Sequence, residues 1–513
     1  MLRRSALHRA PSAGELNDGF AGDSTDVPRP FYPSDPERTE REILLEVDEF
    51  TTNYGLDDIR DLLRKGALIL DNPKNLARVT DLKEQEMGAL VNEKIRSSRY
   101  FPLERSWMDL ASYIATVAFG WKIYGIIATD FMNNVIPTPT SDIDITTLKP
   151  FVLLAGCLLL GLWGAEPLNQ LCGRRGTILL SCLLFMVAAL GTNLSESWQL
   201  HMASGLLAGF ALGVELCTIP VYFAETSVAI NRGAIMSRMQ FLTGVGIVLA
   251  TYSHSLLLGV VVESGINIAF TMIPASIFLV YFWISPESPH YFVAQEDMQS
   301  GYQSLRRIRK TEIQAARDLY QIHLSEGIVH SSPRLFDLIR VPAIRRATVS
   351  SVTVAVAEIF ISSAGPPFPK PQSFRDLASL FGPAWLILIG LFELIMMIIV
   401  LQGIILIDSV GRRRMFLFST LSMLVLSFFL ISLPSNILGV VLLTLAHLTF
   451  SCIFSLGKHI PVTYAAEVFP PRHRILGMAA TMTVFNVAYI LALFKIPSSM
   501  AHKAYSVDVY FSE

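Results

Sequence analysis

Gly173-Arg174-Arg175, followed by Pro220-Val221-Tyr222-Phe223-Ala224-Glu225 and, seven residues after that glutamate, by Arg232-Gly233, is written a second time in the other half of the chain. The second copy reads Asp408-Ser409-Val410-Gly411-Arg412-Arg413, then Pro461-Val462-Thr463-Tyr464-Ala465-Ala466-Glu467 and, again seven residues on, Arg474 with Gly477 close behind. Each copy sets an arginine pair on a glycine turn between two long apolar stretches and answers it with a carboxylate and a further arginine. Shared order and shared spacing imply two homologous halves. Charges confined to such turns imply a membrane protein with an ion-pair network on one face. Parallel repeats related by an axis along the membrane normal are an architecture in which two halves rock about a central site.

Of the 513 residues, 52% are hydrophobic and 16% charged. That is too apolar for an ordinary soluble chain and too charged for membrane spans alone, so the chain must be partitioned between bilayer and water. A net charge of −2, with the arginines in short loops, leaves no nucleic-acid footprint and implies no acidic substrate. The five cysteines, Cys157, Cys172, Cys182, Cys217 and Cys452, lie in or beside apolar segments without ligand spacing. They read as small core residues, with no disulfide, metal or cofactor expected. No nucleophile beside a base, metal cluster or phosphate loop is found, so no enzyme is expected; His201, His254 and His447 read as packing or interface residues. The start, Met1-Leu2-Arg3-Arg4, runs into polar sequence, so insertion is expected to rely on the first span.

Runs near 108–130, 150–170, 177–193, 199–223, 240–262, 267–285, 347–364, 380–407, 415–432, 437–460 and 475–494 approach the roughly 20 residues that cross a bilayer. The organisation expected is a cytoplasmic N-terminal region, 1–107, disordered to about residue 40 and then helical; a first bundle of six spans, 108–285; a cytoplasmic helical linker, 286–346; a second bundle of five spans, 347–494; and a short polar tail, 495–513. Within 71–99, Leu76, Val79, Leu82, Met87 and Leu90 recur at helical spacing, which suits either a helix against protein or headgroups or a solvated one. Lysines and arginines at the span ends (Lys94, Arg96, Arg99, Arg105, the two clusters, Arg238, Arg345 and Arg346) fall on one side, which is read as cytoplasmic. The N-terminus is then cytoplasmic, and the tail is outside or at the interface.

With these motifs in order, the chain resembles the sugar porter family of the major facilitator superfamily, and within it the fungal sugar and polyol transporters. The resemblance covers roughly 75–513 and rests on Gly173-Arg174-Arg175-Gly176, Val221 to Glu225 with Arg232-Gly233, Pro286-Glu287-Ser288-Pro289, Ala315-Ala316-Arg317-Asp318-Leu319-Tyr320, Asp408 to Arg413, and Tyr464 to Pro470 with Arg474. It implies an all-α polytopic fold of two pseudo-repeated bundles, with about 11 of 12 spans present here, and alternating access around a cavity for a sugar or polyol. The partners implied are a small solute and the lipid bilayer, in a monomer, in the plasma membrane. Glu166, Arg174, Arg175, Glu225, Arg232, Glu287, Asp408, Arg412, Arg413, Glu467 and Arg474 are the candidate gate, because charge-assisted hydrogen bonds in a poorly hydrated interface can hold the bundle ends shut. The positive-inside rule explains the sign of these arginines but not their matched spacing to the glutamates. Gln240 and Asn486 match the family's solute-binding amides, able to donate and accept toward hydroxyls; for Asn486 an interhelical bond that glues the bundle stays open beside that role.

The departures gather where the solute should bind. Gly120-Trp121 is followed by Lys122 where the fungal branch has an acid, which points to facilitated rather than proton-coupled transport. The seventh span, Val354 to Ser363, lacks the family's glutamine pair, and the tenth carries Gly457-Lys458-His459-Ile460-Pro461. The fourth lacks an arginine near Gly205 and holds Glu215. Ionisable residues inside spans are expensive and mark functional sites by default, so Lys122, Glu358 and Lys458 join the solute-site candidates beside Glu215 and Glu393. Two readings of these charges stand: Lys122 or Lys458 pairs with Glu358 across the cavity, or the charges are unselected. Two functional classes stand with them: a carrier of a sugar, a polyol or a secondary metabolite, and a non-transporting sensor or scaffold that keeps the fold.

Overall fold

The computed structural model describes residues 39–71, 82–95, 112–122, 156–194, 197–229, 232–258, 264–326, 334–363, 407, 410–431 and 460–488. In chain order the helices used below are α1 Glu40–Tyr54, α2 Arg60–Asp71, α3 Glu84–Ile95 and α4 over 112–122. After a π-helical turn, Gly156–Gly161, come α5 Leu162–Leu194, α6 Trp198–Thr226, α7 Arg232–Leu258 and α8 Ser264–Ile284. Then follow α9 Met298–Ile308, α10 Glu312–Glu326, α11 Pro342–Ser363, α12 Arg412–Ile431, α13 Ile460–Val468 and α14 over 474–488. The described residues contain helices and no strand.

The chain divides into two compact units, Met1–Asn92 with Phe292–His330, and Glu93–Tyr291 with Ser331–Glu513. In the first, the amphipathic spacing of α1 points Ile43, Val47 and Phe50 at Leu63 and Ala67 of α2, Met298 and Leu305 of α9, and Ala315, Leu319 and Tyr320 of α10. Helices of the N-terminal region and of the central segment thus share one core, where the sequence suggested separate stretches. Within α3, Leu90 is buried against Ile69 and Ile313, with Leu82 and Met87 beside it. The helix therefore lies against protein, while Leu76 and Val79 lie outside the described residues.

Asp318 ties α9 to α10. It accepts from Arg309 Nε at 2.6 Å and from Arg317 Nη2 at 2.7 Å, and all three side chains are largely enclosed. Burial would push its carboxyl up, but the Arg317 and Arg309 guanidinium groups outweigh burial and hold it below the ordinary 3.8. A depressed carboxylate stabilises the fold above its unfolded pKa and loses that contribution only as pH falls through the lower folded value. Asp318→Asn strands two enclosed guanidinium groups and is expected to cost about 3 kcal/mol at neutral pH. Hydrogen exchange of the full chain should show α9 and α10 amides opening faster in this variant, with the difference from wild type shrinking only below pH 3.8.

In the second unit, three described stretches are long and apolar enough to cross a membrane: Leu162–Thr192, Gln199–Thr226 and Arg232–Ala250, with Phe270–Ile284 shorter. The first is broken at Gly173 (φ 72, ψ 179) into two helical pieces, where the sequence placed a turn between spans. The core of the first bundle is apolar: Phe119 of α4, Ile178 and Phe185 of α5, Ala211 and Ile219 of α6, and Phe278 and Phe282 of α8. Leu183 and Val187 of α5 and Ile273, Val280 and Trp283 of α8 face outward, the arrangement expected where the solvent is lipid. Helices α4 and α7 meet at bare backbone, since a Cβ on Gly120 would strike the Thr243 carbonyl and one on Gly246 the Val117 carbonyl. Small residues at such a crossing let spans approach closely.

Cys157, Cys182 and Cys217 are buried as expected, but Cys172 is exposed beside the Gly173 turn.

Candidate gate and solute site

The Gly173 break aims two backbone N–H groups at one carboxylate. Glu287 Oε1 accepts from Arg174 N at 2.8 Å and Arg175 N at 3.0 Å, and also from Ser288 N at 2.8 Å. Burial pushes the Glu287 carboxyl up, and these N–H donors only partly offset it. The Arg175 side chain donates to the carbonyls of Phe282 and Trp283 at 3.0 and 2.5 Å, fastening the turn to the end of α8. Tyr222 of α6 donates to the Pro286 carbonyl at 2.8 Å.

Arg174 turns inward instead. Its Nε and Nη2 reach Glu225 Oε2 and Oε1 at 3.0 and 3.2 Å, a two-pronged pair with the Glu225 side chain wholly enclosed. Ser288 Oγ adds a third donor to Glu225 at 2.5 Å; the serine sits inside the quoted Pro286–Pro289 motif, yet its role was not read from the sequence. The second copy repeats the geometry. Gly411 has φ 89, and Arg412 Nε and Nη2 reach Glu467 Oε2 and Oε1 at 3.1 and 2.9 Å.

The two halves meet at this end. Arg474 Nη1 of the second half stands 4.0 Å from Glu225 Oε1 of the first, and its Nε donates to the Phe469 carbonyl at 3.4 Å. Around it, Cys217, Val221 and Ala224 of α6 share a buried cluster with Ala465 and Ala466 of α13 and Ile475, Met478 and Met482 of α14. The ends of the bundles that carry the arginines are in contact in this conformation.

Of the other gate candidates, Glu166 Oε1 accepts from Gln170 at 2.9 Å on its own helix, Arg232 is half-buried as the first residue of α7, and Arg413 is exposed at the start of α12. Asp408 lies outside the described residues.

The described solute candidates lie on four different helices. Gln240 is half-buried on α7, Glu358 is buried on α11, and Lys458 lies outside the described residues, as does Glu393. Asn486 donates to the Met482 carbonyl of its own helix at 2.9 Å. Lys122 carries the plainest correction: its ammonium contacts Glu215 Oε1 and Oε2 at 2.5 and 2.6 Å, with both side chains wholly buried. Of the two pairings read for Glu358, the one with Lys122 is therefore not made, and the one with Lys458 lies outside the described residues. Lys122 points into the core of the first bundle because α4 rests flat on α7 at Gly120, which turns the next positions toward α5 and α6.

A family model described as "Sugar (and other) transporter" matches residues 110–512. The major myo-inositol transporter IolT of Bacillus subtilis is 26% identical over 417 residues, covering 76% of this chain and 85% of that protein. Polyol transporter 5 of Arabidopsis thaliana is 26% identical over 386 residues, covering 68% of this chain and 71% of that one. Among solved structures, the proton:xylose symporter XylE bound to 6-bromo-6-deoxy-D-glucose superposes with a TM-score of 0.60 at 18% identity, covering 79% of this chain and 90% of that one. At that identity the likeness shows the major facilitator fold.

Proposed function

Because the chain belongs to the sugar (and other) transporter family, we propose that it is a membrane carrier that moves a sugar, polyol or related small solute by alternating access. It is a transporter-family protein rather than an enzyme, and its chemistry is the making and breaking of non-covalent contacts. The observation that carries the mechanism is the doubled arginine–glutamate pair at the meeting ends of the bundles, with Arg474 reaching toward the carboxylate of the other half. In the conformation described, these contacts hold one end shut. Rocking the bundles must part Arg474 from Glu225 and uncover the apolar residues around them, while each intrahalf pair travels with its own bundle.

The arginine-bearing end is taken as cytoplasmic by the positive-inside rule, with the N-terminus inside the cell, and the carrier is taken as a monomer of the plasma membrane, as the family resemblance implies. Gln240 is assigned to the solute, since its amide is half-buried on a span and can both donate and accept toward hydroxyls. Asn486 would have to give up its bond to Met482 to do the same. Relatives named for myo-inositol, polyols and xylose guide the choice of solutes.

The test is uptake of labelled myo-inositol, xylose and a linear polyol by the full chain in proteoliposomes. Saturable uptake of one of them is expected, and Gln240→Ala should lower its initial rate about tenfold, the worth of one or two hydrogen bonds. A second reading, a membrane sensor or scaffold, is favoured by one observation: α1, α2, α9 and α10 form a compact helical body outside the spans, suited to cytosolic partners. Folded protein that moves none of the three solutes would favour it.

A further inference from the structure

Lys122 is wholly buried in the apolar core of the first bundle. Its ammonium contacts both oxygens of Glu215, and Ser181 Oγ donates to Glu215 Oε1 at 3.2 Å. Around the ammonium stand the rings of Phe185, Phe278 and Phe119, with centroids at 4.3, 5.3 and 6.0 Å. The pair therefore joins α4 to α6 inside a sleeve supplied by α5 and α8. The Cys182 thiol, which also faces the pair, is spoken for: it donates to the Ala275 carbonyl at 3.4 Å.

A buried pair that is well hydrogen-bonded can hold its own, but removing one partner leaves an uncompensated charge in low dielectric, which is strongly unfavourable. Adding a proton to Glu215 would strand the ammonium among three aromatic faces, whose attraction for a cation replaces only part of a carboxylate's. Zero exposure on both side chains also denies a proton a wet approach. We propose that Lys122 and Glu215 form a closed, proton-inert ion pair that fastens the first span to the fourth, so that the N-terminal bundle rocks as one body without exchanging a proton at this place. The transport half of this inference rests on the carrier reading; the ion-pair half does not.

Both residues are positioning residues, and two measurements test them. The first is thermal unfolding of the purified full chain, followed by tryptophan fluorescence from about pH 5.5 to about pH 8.5, a range in which an ordinary histidine and a displaced carboxylate would titrate. Lys122→Met and Glu215→Gln should each lower the midpoint by about 5 °C or more. The double variants Lys122→Met/Glu215→Met and Lys122→Gln/Glu215→Gln should lie closer to wild type than either single change. The gap between wild type and the better-folded double should stay constant across the pH range. A gap that widens or closes with pH, or single variants as stable as wild type, would overturn the proposal. The second measurement is solute uptake with and without an inwardly directed proton gradient, which should give equal initial rates. Acceleration by the gradient that disappears in Glu215→Gln would overturn the proton-inert assignment. Should no solute be taken up under either condition, the carrier reading fails, and the unfolding series still decides the pair.

Discussion

Glu225→Gln is expected to cut solute uptake by about tenfold while leaving the chain folded in the membrane. Glu225 is wholly enclosed and serves three partners: Arg174 through two bonds, Ser288 at 2.5 Å, and Arg474 of the opposite half at 4.0 Å. An amide of the same shape keeps the packing but removes the charge that balances two guanidinium groups. Breaking an enclosed pair by neutralising one member costs about 3 kcal/mol, but only the Arg474 contact differs between conformations, and about 1.4 kcal/mol for it is a factor of about 10 in the equilibrium. The Arg174 part of the loss falls on both conformations, since that pair travels with its bundle. The Arg474 part falls only on the conformation in which the arginine-bearing ends meet, because only there does Arg474 approach Glu225. The population should therefore shift toward the conformation in which those ends are apart. Ala466 is wholly buried in the shared cluster of α6, α13 and α14, so Ala466→Cys, in a chain whose native cysteines are replaced, reports the shift. Labelling by a membrane-impermeant maleimide in inside-out vesicles should rise sharply in Glu225→Gln. Unchanged labelling together with unchanged uptake would show that the pair does not hold the end shut.

The two arginine–glutamate pairs were largely legible in the sequence, because their geometry is local to two turns and a matched spacing. Each Gly-Arg-Arg turn had to lie at a span end, each glutamate had to follow on the next inward-facing helix, and the structure pairs Arg174 with Glu225 and Arg412 with Glu467. Arg474 was named, but its reach toward the other half was not, since crossing between halves depends on how two bundles are packed. Lys122 shows where reading from pattern stops. Intramembrane charge demands a partner, and the sequence supplied several acids; which one meets it depends on helix rotation, set here by the Gly120 and Gly246 crossing of α4 on α7. Glu215 stands in an unbroken apolar run with no local mark of the lysine it serves. Asn486 is a case of a different kind, since an amide can satisfy itself on the carbonyl one turn back, and no spacing rule separates that from a bond to solute. The shared core of α1, α2, α9 and α10 joins segments far apart in the chain, and amphipathic faces alone do not say which of them belong together.

Gly173→Val is expected to leave little folded protein, whereas Gly411→Val, at the same place in the second copy, should cost far less. The two glycines occupy equivalent turns and both have positive φ, 72 and 89. Gly173 combines its φ with ψ 179, a region open essentially to glycine alone, in which other residues pay about 1–3 kcal/mol, with β-branched side chains faring worst. It also lacks room: a Cβ there would stand 2.5 Å from Glu287 Oε2 and 2.8 Å from its carboxyl carbon, while among the described residues beyond its chain neighbours nothing lies within 4 Å of the position a Cβ would take on Gly411. A side chain on Gly173 must therefore push out the carboxylate that accepts from Arg174 N, Arg175 N and Ser288 N, leaving those donors in an enclosed turn at about 1–3 kcal/mol each. Strain and lost bonds act together at Gly173, and among the described residues only strain acts at Gly411. Monodisperse yield and the thermal midpoint of the purified full chain measure the contrast. Glu287→Ala with Gly173→Val separates the two contributions: removing the carboxylate relieves the collision but neither the backbone strain nor the unpaired donors, so the double variant should recover only a small part of the loss. Full recovery would mean that collision alone dictates glycine at this turn. Equal damage from the Gly173 and Gly411 substitutions would mean that the Glu287 cradle contributes nothing to it.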